Sequence, residues 1–133
     1  MSKVVKMIGG LSMVAGLALA GTAAANAVDR GDEKLECNYY EICFAEHHDG
    51  AGGQRHFYGS SSNHANEGNM SSGVPFYHNA SSIKNRDSVS NVCVTESGDW
   101  TNDSWQFPAR STSWSNFAGD LNDENAKHVR ANC

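Results

Sequence analysis

An internal repeat constrains the fold of this chain more than any other feature of its sequence. The segment from Cys43 to Phe57 recurs without gaps, fifty residues later, from Cys93 to Phe107. Four of the fifteen aligned pairs are identical, where about one identity is expected by chance. A second similarity joins the segments that begin at His78 and Glu124, offset by forty-six residues. Because the two blocks occur in the same order in both halves, the repeat predicts one supersecondary unit used twice in one compact domain.

The first twenty-seven residues have the pattern of a secretory signal peptide. Lys3 and Lys6 form a positive N-terminal region, Ile8 to Ala20 is apolar, and Ala25-Asn26-Ala27 supplies a small-x-small cleavage site. A transmembrane helix is the weaker alternative, because thirteen apolar residues are fewer than the roughly twenty that a membrane span needs. We expect residues 1–27 to be removed and residues 28–133 to form one secreted, soluble domain, with repeat one over about 37–91 and repeat two over about 92–133.

The charge of the chain disfavours nucleic acid and anionic membranes as partners. Removal of Lys3 and Lys6 leaves 10 − 2 = 8 basic against 15 acidic residues, a net charge of −7. The remaining lysines and arginines are scattered singly along the sequence, whereas a nucleic-acid or membrane surface needs a basic stripe. We expect a monomer with no nucleic-acid and no membrane partner.

All four cysteines lie in the expected mature part, and an even count in a small exported chain indicates two disulfides. Four cysteines allow three connectivities. The short spacing of Cys37 and Cys43 favours a bond between them, which leaves Cys93 to Cys133. The other two pairings stay open at this point. No C-x-x-C pair occurs, so a structural zinc site is not expected.

The coarse pattern of the mature chain is all-β. Short segments bounded by Gly, Asp and Asn, some with alternating apolar residues, predict strands. The predicted strands are Glu41–Glu46, Gln54–Tyr58, Val74–Tyr77, Ser82–Asn85, Val92–Glu96, Ser104–Phe107 and His128–Ala131. No stretch has helical periodicity over three turns, and Asn122–Val129 has room for a single helical turn at most.

The segment from Gly59 to Gly73 is long for a connection without apolar periodicity. One interpretation is a mobile, solvated excursion. The other is a partner-binding loop made of Asn69, Met70 and Ser71, in which Met70 is the one sizeable apolar side chain.

Catalytic and metal-binding patterns are absent from the sequence. It has no G-x-S-x-G or H-E-x-x-H motif, and its cysteines are assigned to disulfides, so we expect no enzyme activity, catalytic residue or cofactor. His47, His48 and Asp49 offer metal ligands, but adjacent residues on a strand point to opposite faces. Exposed turn residues are the favoured interpretation, and no metal site is expected.

Two segments resemble a known family. CNYYEICFAE (Cys37 to Glu46) and YHNASSIKN (Tyr77 to Asn85) are similar to motifs of the secreted actinobacterial peptidase inhibitors with a βγ-crystallin-like fold. The likeness covers Cys37 to about Val94 well and the second half loosely. It implies a β-sandwich of two Greek-key motifs, stapled by disulfides, that is secreted and blocks a protease through a surface loop. Members that inhibit metalloproteinases use a disulfide-pinned loop in the second half, and Cys93 has no second cysteine nearby.

The crystallin calcium motif, two Asp or Asn residues followed after two residues by Ser/Thr-Ser, is incomplete in both halves. The first copy, residues 77–82, keeps Ser81 and Ser82 but begins with Tyr77 and His78. The second copy, residues 123–128 or in a shifted frame 122–127, keeps acidic or amide groups but lacks the hydroxyls. Because Ca²⁺ needs six to eight oxygen ligands, we expect calcium to bind poorly.

Two functions from different classes remain open. The first is a secreted inhibitor of an extracellular protease, which the family resemblance implies. The second is a non-inhibitory crystallin-like binding or stability module, or a small secreted toxin without catalytic activity. A pinned loop with a clear anchor residue would favour the first, and intact calcium motifs or exposed aromatic patches would favour the second.

Overall fold

The computed structural model describes residues 36–96 and 104–133. These residues form seven strands and three short 3-10 turns, and they contain no α-helix. The strands are β1 (Ile42–Ala45), β2 (Gln54–Phe57), β3 (Ser82–Asn85), β4 (Val92–Thr95), β5 (Ser104–Phe107), β6 (Ser115–Asn116) and β7 (Lys127–Val129). The 3-10 turns are His48–Gly50, His64–Asn66 and Gly119–Leu121. The predicted all-β class is confirmed, whereas the predicted signal peptide lies outside the described residues.

The strands form two antiparallel sheets, one in the order β2-β1-β3-β6 and one in the order β5-β4-β7. The sequence repeat is visible in their register. Ile42 pairs with Phe57 in the first sheet, and Val92, fifty residues later, pairs with Phe107 in the second. Equivalent positions therefore have equivalent neighbours, as the repeat predicts.

The third strand of each half breaks the predicted offset of forty-six residues. Ile83 lies opposite Phe44, and His128 lies opposite Val94, which is the repeat equivalent of Phe44. The structural offset is thus 128 − 83 = 45. Because a slip of one residue turns every side chain of a strand to the other face, His128, and not Val129, takes the core position that Ile83 fills in the first half.

Each half contributes chain to the sheet of the other half. β6 comes from the second half but pairs with β3 of the first, with Ile83 opposite Ser115. In return, Ser61 of the first half forms an isolated bridge to His128 of the second. The N–H of each donates to the carbonyl of the other, at 3.0 and 2.9 Å.

The core lies between the sheets and is built from the inward-facing side chains of both. Phe57 and Phe107 are both buried there, as their repeat positions predict. Phe44 contacts Phe57 and Phe76 with ring centroids 5.9 and 5.0 Å apart. Burying each phenylalanine stabilises the fold by roughly 1.5–3 kcal/mol.

One predicted strand is wrong, and one observed strand was not predicted. Val74–Tyr77 is not a strand, because only Pro75 pairs, in one isolated bridge with Asn69. β6 was not predicted, since Ser115 and Asn116 are polar and pair only because the edge of β3 lies beside them. The segment Asn122–Val129, expected to hold a single helical turn at most, contains no helix: the 3-10 turn precedes it, and β7 occupies its end.

The structure contains the disulfides Cys37–Cys43 and Cys93–Cys133, the pairing that the sequence favours. The two bonds are compatible with an extracellular protein. Within the described residues, no helix has the length and apolar character required to cross a membrane.

Candidate functional site

The disulfide Cys37–Cys43 brackets a loop that presents the two most exposed tyrosines of the described residues. Tyr39 is 51% and Tyr40 is 53% exposed. Their ring centroids are 4.3 Å apart in an edge-to-face arrangement. The bonded cysteines are six residues apart in sequence, and their Cα atoms are 5.9 Å apart. The loop therefore has little freedom to rearrange, and the two rings form one protruding patch.

Backbone hydrogen bonds tie this loop to the segment that follows β3. The Tyr40 N–H donates to the Arg86 carbonyl at 3.0 Å, and the Arg86 N–H donates to the Glu41 carbonyl at 2.8 Å. The Arg130 guanidinium donates to the Tyr40 carbonyl at 2.5 Å and pairs with Asp87 at 3.0 Å. Tyr40 has a φ of +74°, a conformation that a non-glycine residue adopts only when its surroundings impose it. The conformation is fixed by these contacts before any partner arrives.

A buried carboxylate supports the loop from below. Glu41 is fully buried, and its Oε2 accepts a hydrogen bond from the Asn38 N–H at 2.6 Å. His56 Nδ1 on β2 lies 3.3 Å from the same oxygen. A buried carboxylate is tolerated only with such polar partners, so Glu41 positions the loop and is not itself presented to a partner.

The loop predicted to bind a partner, Asn69 to Ser71, is not arranged as the sequence suggested. Met70 is only 3% exposed and belongs to the core, so it is not available as an apolar surface anchor. It lies inside because the long polar connection needs an apolar side chain to fix it to the sandwich. Asn69 and Ser71 remain exposed. Their backbones are held by Arg55, which donates to the Asn69 carbonyl, and by Gln54, which accepts from the Ser71 N–H.

His47, His48 and Asp49 lie in an exposed turn. The His48 ring contacts Asn122 at 3.2 Å, while Asp49 bonds Asn116. The side chains therefore turn to different neighbours and do not converge on one point.

The oxygen atoms of the two partial calcium motifs are engaged with each other's segments. Ser81 Oγ donates to Asp123 Oδ1 at 2.8 Å. Asn125 Oδ1 accepts from the N–H groups of Asn79 and Ala80 at 3.1 and 2.8 Å. These hydrogen bonds join the two halves of the repeat.

Two buried histidines form a relay between the halves that the sequence did not reveal. His128 Nε2 donates to the Gly59 carbonyl at 2.9 Å, so its Nδ1 accepts from His64 Nε2 at 2.8 Å. His64 Nδ1 then accepts from Asn125 Nδ2 at 2.9 Å. Every ring nitrogen has a partner of fixed polarity, so both imidazoles are neutral and there is no free position for another proton. The sequence indicates the core position of His128 only through its offset of forty-five residues from Ile83, and this offset becomes visible only once the strands are paired.

The surroundings of the relay oppose protonation. Burial lowers the pKa of His64 well below its usual value, and the closeness of the second imidazole, His128, lowers it further. Burial lowers the pKa of His128 to about 4, against the opposing effect of its hydrogen bond to Gly59. Phe44, Phe57 and Phe76 surround the rings. The relay therefore acts as a structural element of the core near neutral pH.

Among the described residues, one group of potential metal ligands comes together, formed by Cys37, Glu41 and Cys43, whose ligand atoms lie within 4.8 Å of one another. Both sulfur atoms are bonded in the disulfide, and a metal requires the thiolate.

The arrangement of the Cys37–Cys43 loop suits binding, because it presents aromatic surface and polar backbone on a fixed frame.

Comparison of the chain with family models, with curated proteins and with solved structures finds no match. The sequence predicted a different partner-binding loop, Asn69 to Ser71, and did not single out Tyr39 and Tyr40. Two adjacent tyrosines inside a short cysteine bracket are nevertheless a signal for such a role, because tyrosine is enriched where proteins bind one another.

Proposed function

We propose that this protein is a secreted peptidase inhibitor that presents the Cys37–Cys43 loop to its target. The observation that carries the proposal is the exposed pair Tyr39–Tyr40 on a loop fixed by a disulfide and by hydrogen bonds to Arg86 and Arg130. Association costs free energy for every side chain and loop that becomes ordered, and a loop ordered in advance avoids most of that cost. Tyrosine is also among the residues most often found at the energetic centre of an interface.

The backbone of the loop favours a particular mode of contact. A peptide read as a strand must be extended over several residues, and Tyr40 at φ +74° interrupts an extended path. The loop would therefore fill a pocket of the protease with its aromatic rings and would not pass through the active-site cleft as a substrate strand. This mode needs no disulfide-pinned loop in the second half, where Cys93 bonds Cys133.

The strand connections support the finer fold that the family resemblance implies. β3 returns beside β1 after an excursion in which Ser61 bridges the other sheet, and a long return connection to the first strand is the mark of a Greek key. We propose that each half is one crystallin-like Greek key and that the two exchange one edge segment each. Secretion follows from the N-terminal pattern of Lys3, Lys6 and the apolar stretch, and the two disulfides agree with it.

The test is an inhibition panel of secreted metallo- and serine proteases against the purified, oxidised protein. We expect nanomolar to micromolar inhibition of at least one protease. Tyr40→Gly removes the ring but keeps the positive φ at no steric cost. It should weaken inhibition about 30-fold, the effect of losing a hot-spot residue worth about 2 kcal/mol.

Tyr58→Gly is the matched control, because Tyr58 is also an exposed tyrosine, 40% accessible, but lies outside the bracket. It should inhibit like the unmodified protein. The proposal fails if no protease in the panel is inhibited, or if the two variants lose the same amount of activity.

A further inference from the structure

A polar cleft lies beside the Cys37–Cys43 loop, on the outer face of the four-stranded sheet. Its volume is about 570 Å³, within the range of sites that hold small ligands. The aromatic rings of Tyr39 and Trp114 line it, together with Cys37 and the polar residues Glu36, Asn38, Gln54, Lys84 and Arg86. The cleft therefore combines two aromatic rings with two amides, two cations and one carboxylate.

Paired strands position two of the residues that line the cleft, Gln54 on β2 and Lys84 on β3. Cys43 on β1 lies opposite His56 on β2 and opposite Lys84 on β3. The antiparallel register of β3 with β6, in which Ile83 lies opposite Ser115, places Trp114 next to Lys84 along the same row. The disulfide from Cys43 to Cys37 ties the segment that carries Tyr39 to β1.

The indole of Trp114 is seated against a glycine. A Cβ atom added to Gly50 would lie 2.2 Å from both Cε2 and Nε1 of Trp114, so no other residue fits there without moving the ring. Gly50 also has a φ of +80°, and its carbonyl accepts from Gln54 Nε2 at 3.0 Å. Gly50 thus holds both Trp114 and Gln54 at the cleft wall.

The cleft lies where the positive charge of an acidic chain is concentrated. The described residues contain six lysines and arginines, of which Arg55 and Lys127 are buried. The other four gather on one side: Lys84 and Arg86 line the cleft, and Arg110 and Arg130 contact the adjoining Asp87–Ser88 segment. Within the described part of the chain, Lys84 and Arg86 form no ion pair, so their charges are available to a ligand.

We infer that this cleft binds an anionic saccharide, a pyranose ring that bears a carboxylate. The apolar face of a sugar ring packs on an aromatic side chain such as Trp114 or Tyr39. Lys84 and Arg86 pair with the carboxylate, and Arg does so with two parallel hydrogen bonds. Glu36 accepts hydrogen bonds from ring hydroxyls, and Gln54 Oε1, which lies 2.8 Å from His56 Nε2, has a second lone pair to accept another. This chemistry is shared by polysaccharides of uronic acids and by the muramic acid of bacterial cell walls.

The inference is independent of the proposed inhibition of a protease. The cleft shares Cys37, Asn38 and Tyr39 with the exposed loop, but Trp114 and Lys84 lie outside the bracket. Variants of those two residues separate the two functions.

The experiment is isothermal titration calorimetry of the purified, oxidised protein with three probes. These are a hexamer of galacturonic acid, an N-acetylglucosaminyl-N-acetylmuramic acid disaccharide and a neutral hexamer of N-acetylglucosamine. We expect at least one carboxylated probe to bind at least tenfold more tightly than the neutral hexamer. Trp114→Leu and Lys84→Gln should each lower that affinity at least tenfold, and Gly50→Ala should lower it by displacing the indole.

Two controls lie outside the cleft. Tyr58→Leu removes an exposed aromatic ring, and Arg110→Gln removes an exposed cation on the same side of the molecule. Both should bind the probe as tightly as the unmodified protein, and circular dichroism melts should show that all variants are folded. The inference is overturned if neither carboxylated probe binds at millimolar concentration, or if Arg110→Gln weakens binding as much as Lys84→Gln, which would indicate diffuse charge attraction.

Discussion

Acid should destabilise this protein through the His64–His128 relay, starting at a pH above the ordinary pKa values of carboxylates. In the unfolded chain His128 takes up a proton near its ordinary pKa of 6.5, whereas in the fold its pKa is about 4. Between these values the unfolded state binds more protons. The contribution of His128 to the free energy of unfolding is therefore complete above pH 6.5 and decreases as the pH falls toward 4.

The size of the effect follows from that interval. Each pH unit over which a histidine is protonated only in the unfolded state costs about 1.4 kcal/mol. The interval from 6.5 to about 4 thus corresponds to about 3 kcal/mol, a large share of the 5–15 kcal/mol typical of a domain. His64 acts in the same direction, because its pKa is lowered by burial and by His128.

The measurement is urea denaturation at pH 7.0, 6.0, 5.5 and 5.0, compared with His128→Gln. Glutamine can still donate to the Gly59 carbonyl and accept from His64, but it does not titrate. We expect the unmodified protein to lose about 1 kcal/mol more per pH unit than the variant below pH 6. His48→Gln, at an exposed histidine, should keep the full slope. The reasoning is refuted if the unmodified protein and His128→Gln have the same slope.

Three further outcomes are expected. Phe57→Ala should lower the free energy of unfolding by about 3–5 kcal/mol, because it leaves a cavity in the core. Tyr58→Ala, at an exposed neighbour, should change it by less than about 0.5 kcal/mol. Equal effects of the two variants in chemical denaturation would show that Phe57 is not a core residue. Replacing Cys93 and Cys133 together by serine opens a loop with a sequence separation of 40 and should cost about 4 kcal/mol. The same change at Cys37 and Cys43, with a separation of 6, should cost about 2 kcal/mol, and thermal melts that reverse this order contradict the loop-entropy argument. Calcium at millimolar concentration should not raise the melting temperature measurably, whereas a site with a Kd of about 10⁻⁵ M would stabilise the fold by about 2.7 kcal/mol and raise it by several degrees.

The elements that the sequence predicts well are those whose information is local. β1, β2, β4 and β5 are flanked in the sequence by Gly, Asp and Asn residues and recur at the same spacing, so their positions and the burial of Phe57 and Phe107 follow from the repeat. Cysteine spacing favours, among three possible pairings, the one that the structure contains.

The features that the sequence does not predict depend on pairing between distant segments. Ser115 and Asn116 become a strand only because the edge of β3 is open to them. His128 becomes a core residue only through a register shift of one residue. Met70, the one sizeable apolar side chain of the polar loop from Gly59 to Gly73, is buried in the core. The cleft between Tyr39 and Trp114 is assembled by three strands and a disulfide, and no single segment contains its pattern.

The exchange of chain between the halves has a consequence for how the protein folds. Neither repeat can complete its own sheet: the first needs Ser115 and Asn116 from the second, and His128 of the second is paired by Ser61 of the first. In tandem-repeat proteins folding can begin in any repeat and spread to its neighbours, whereas here each repeat supplies a segment to the sheet of the other. The two halves should form and dissolve in a single transition, limited by the slow closure of long loops. If two molecules exchanged the same edge segment during refolding at high concentration, they would form a domain-swapped dimer with unchanged local contacts.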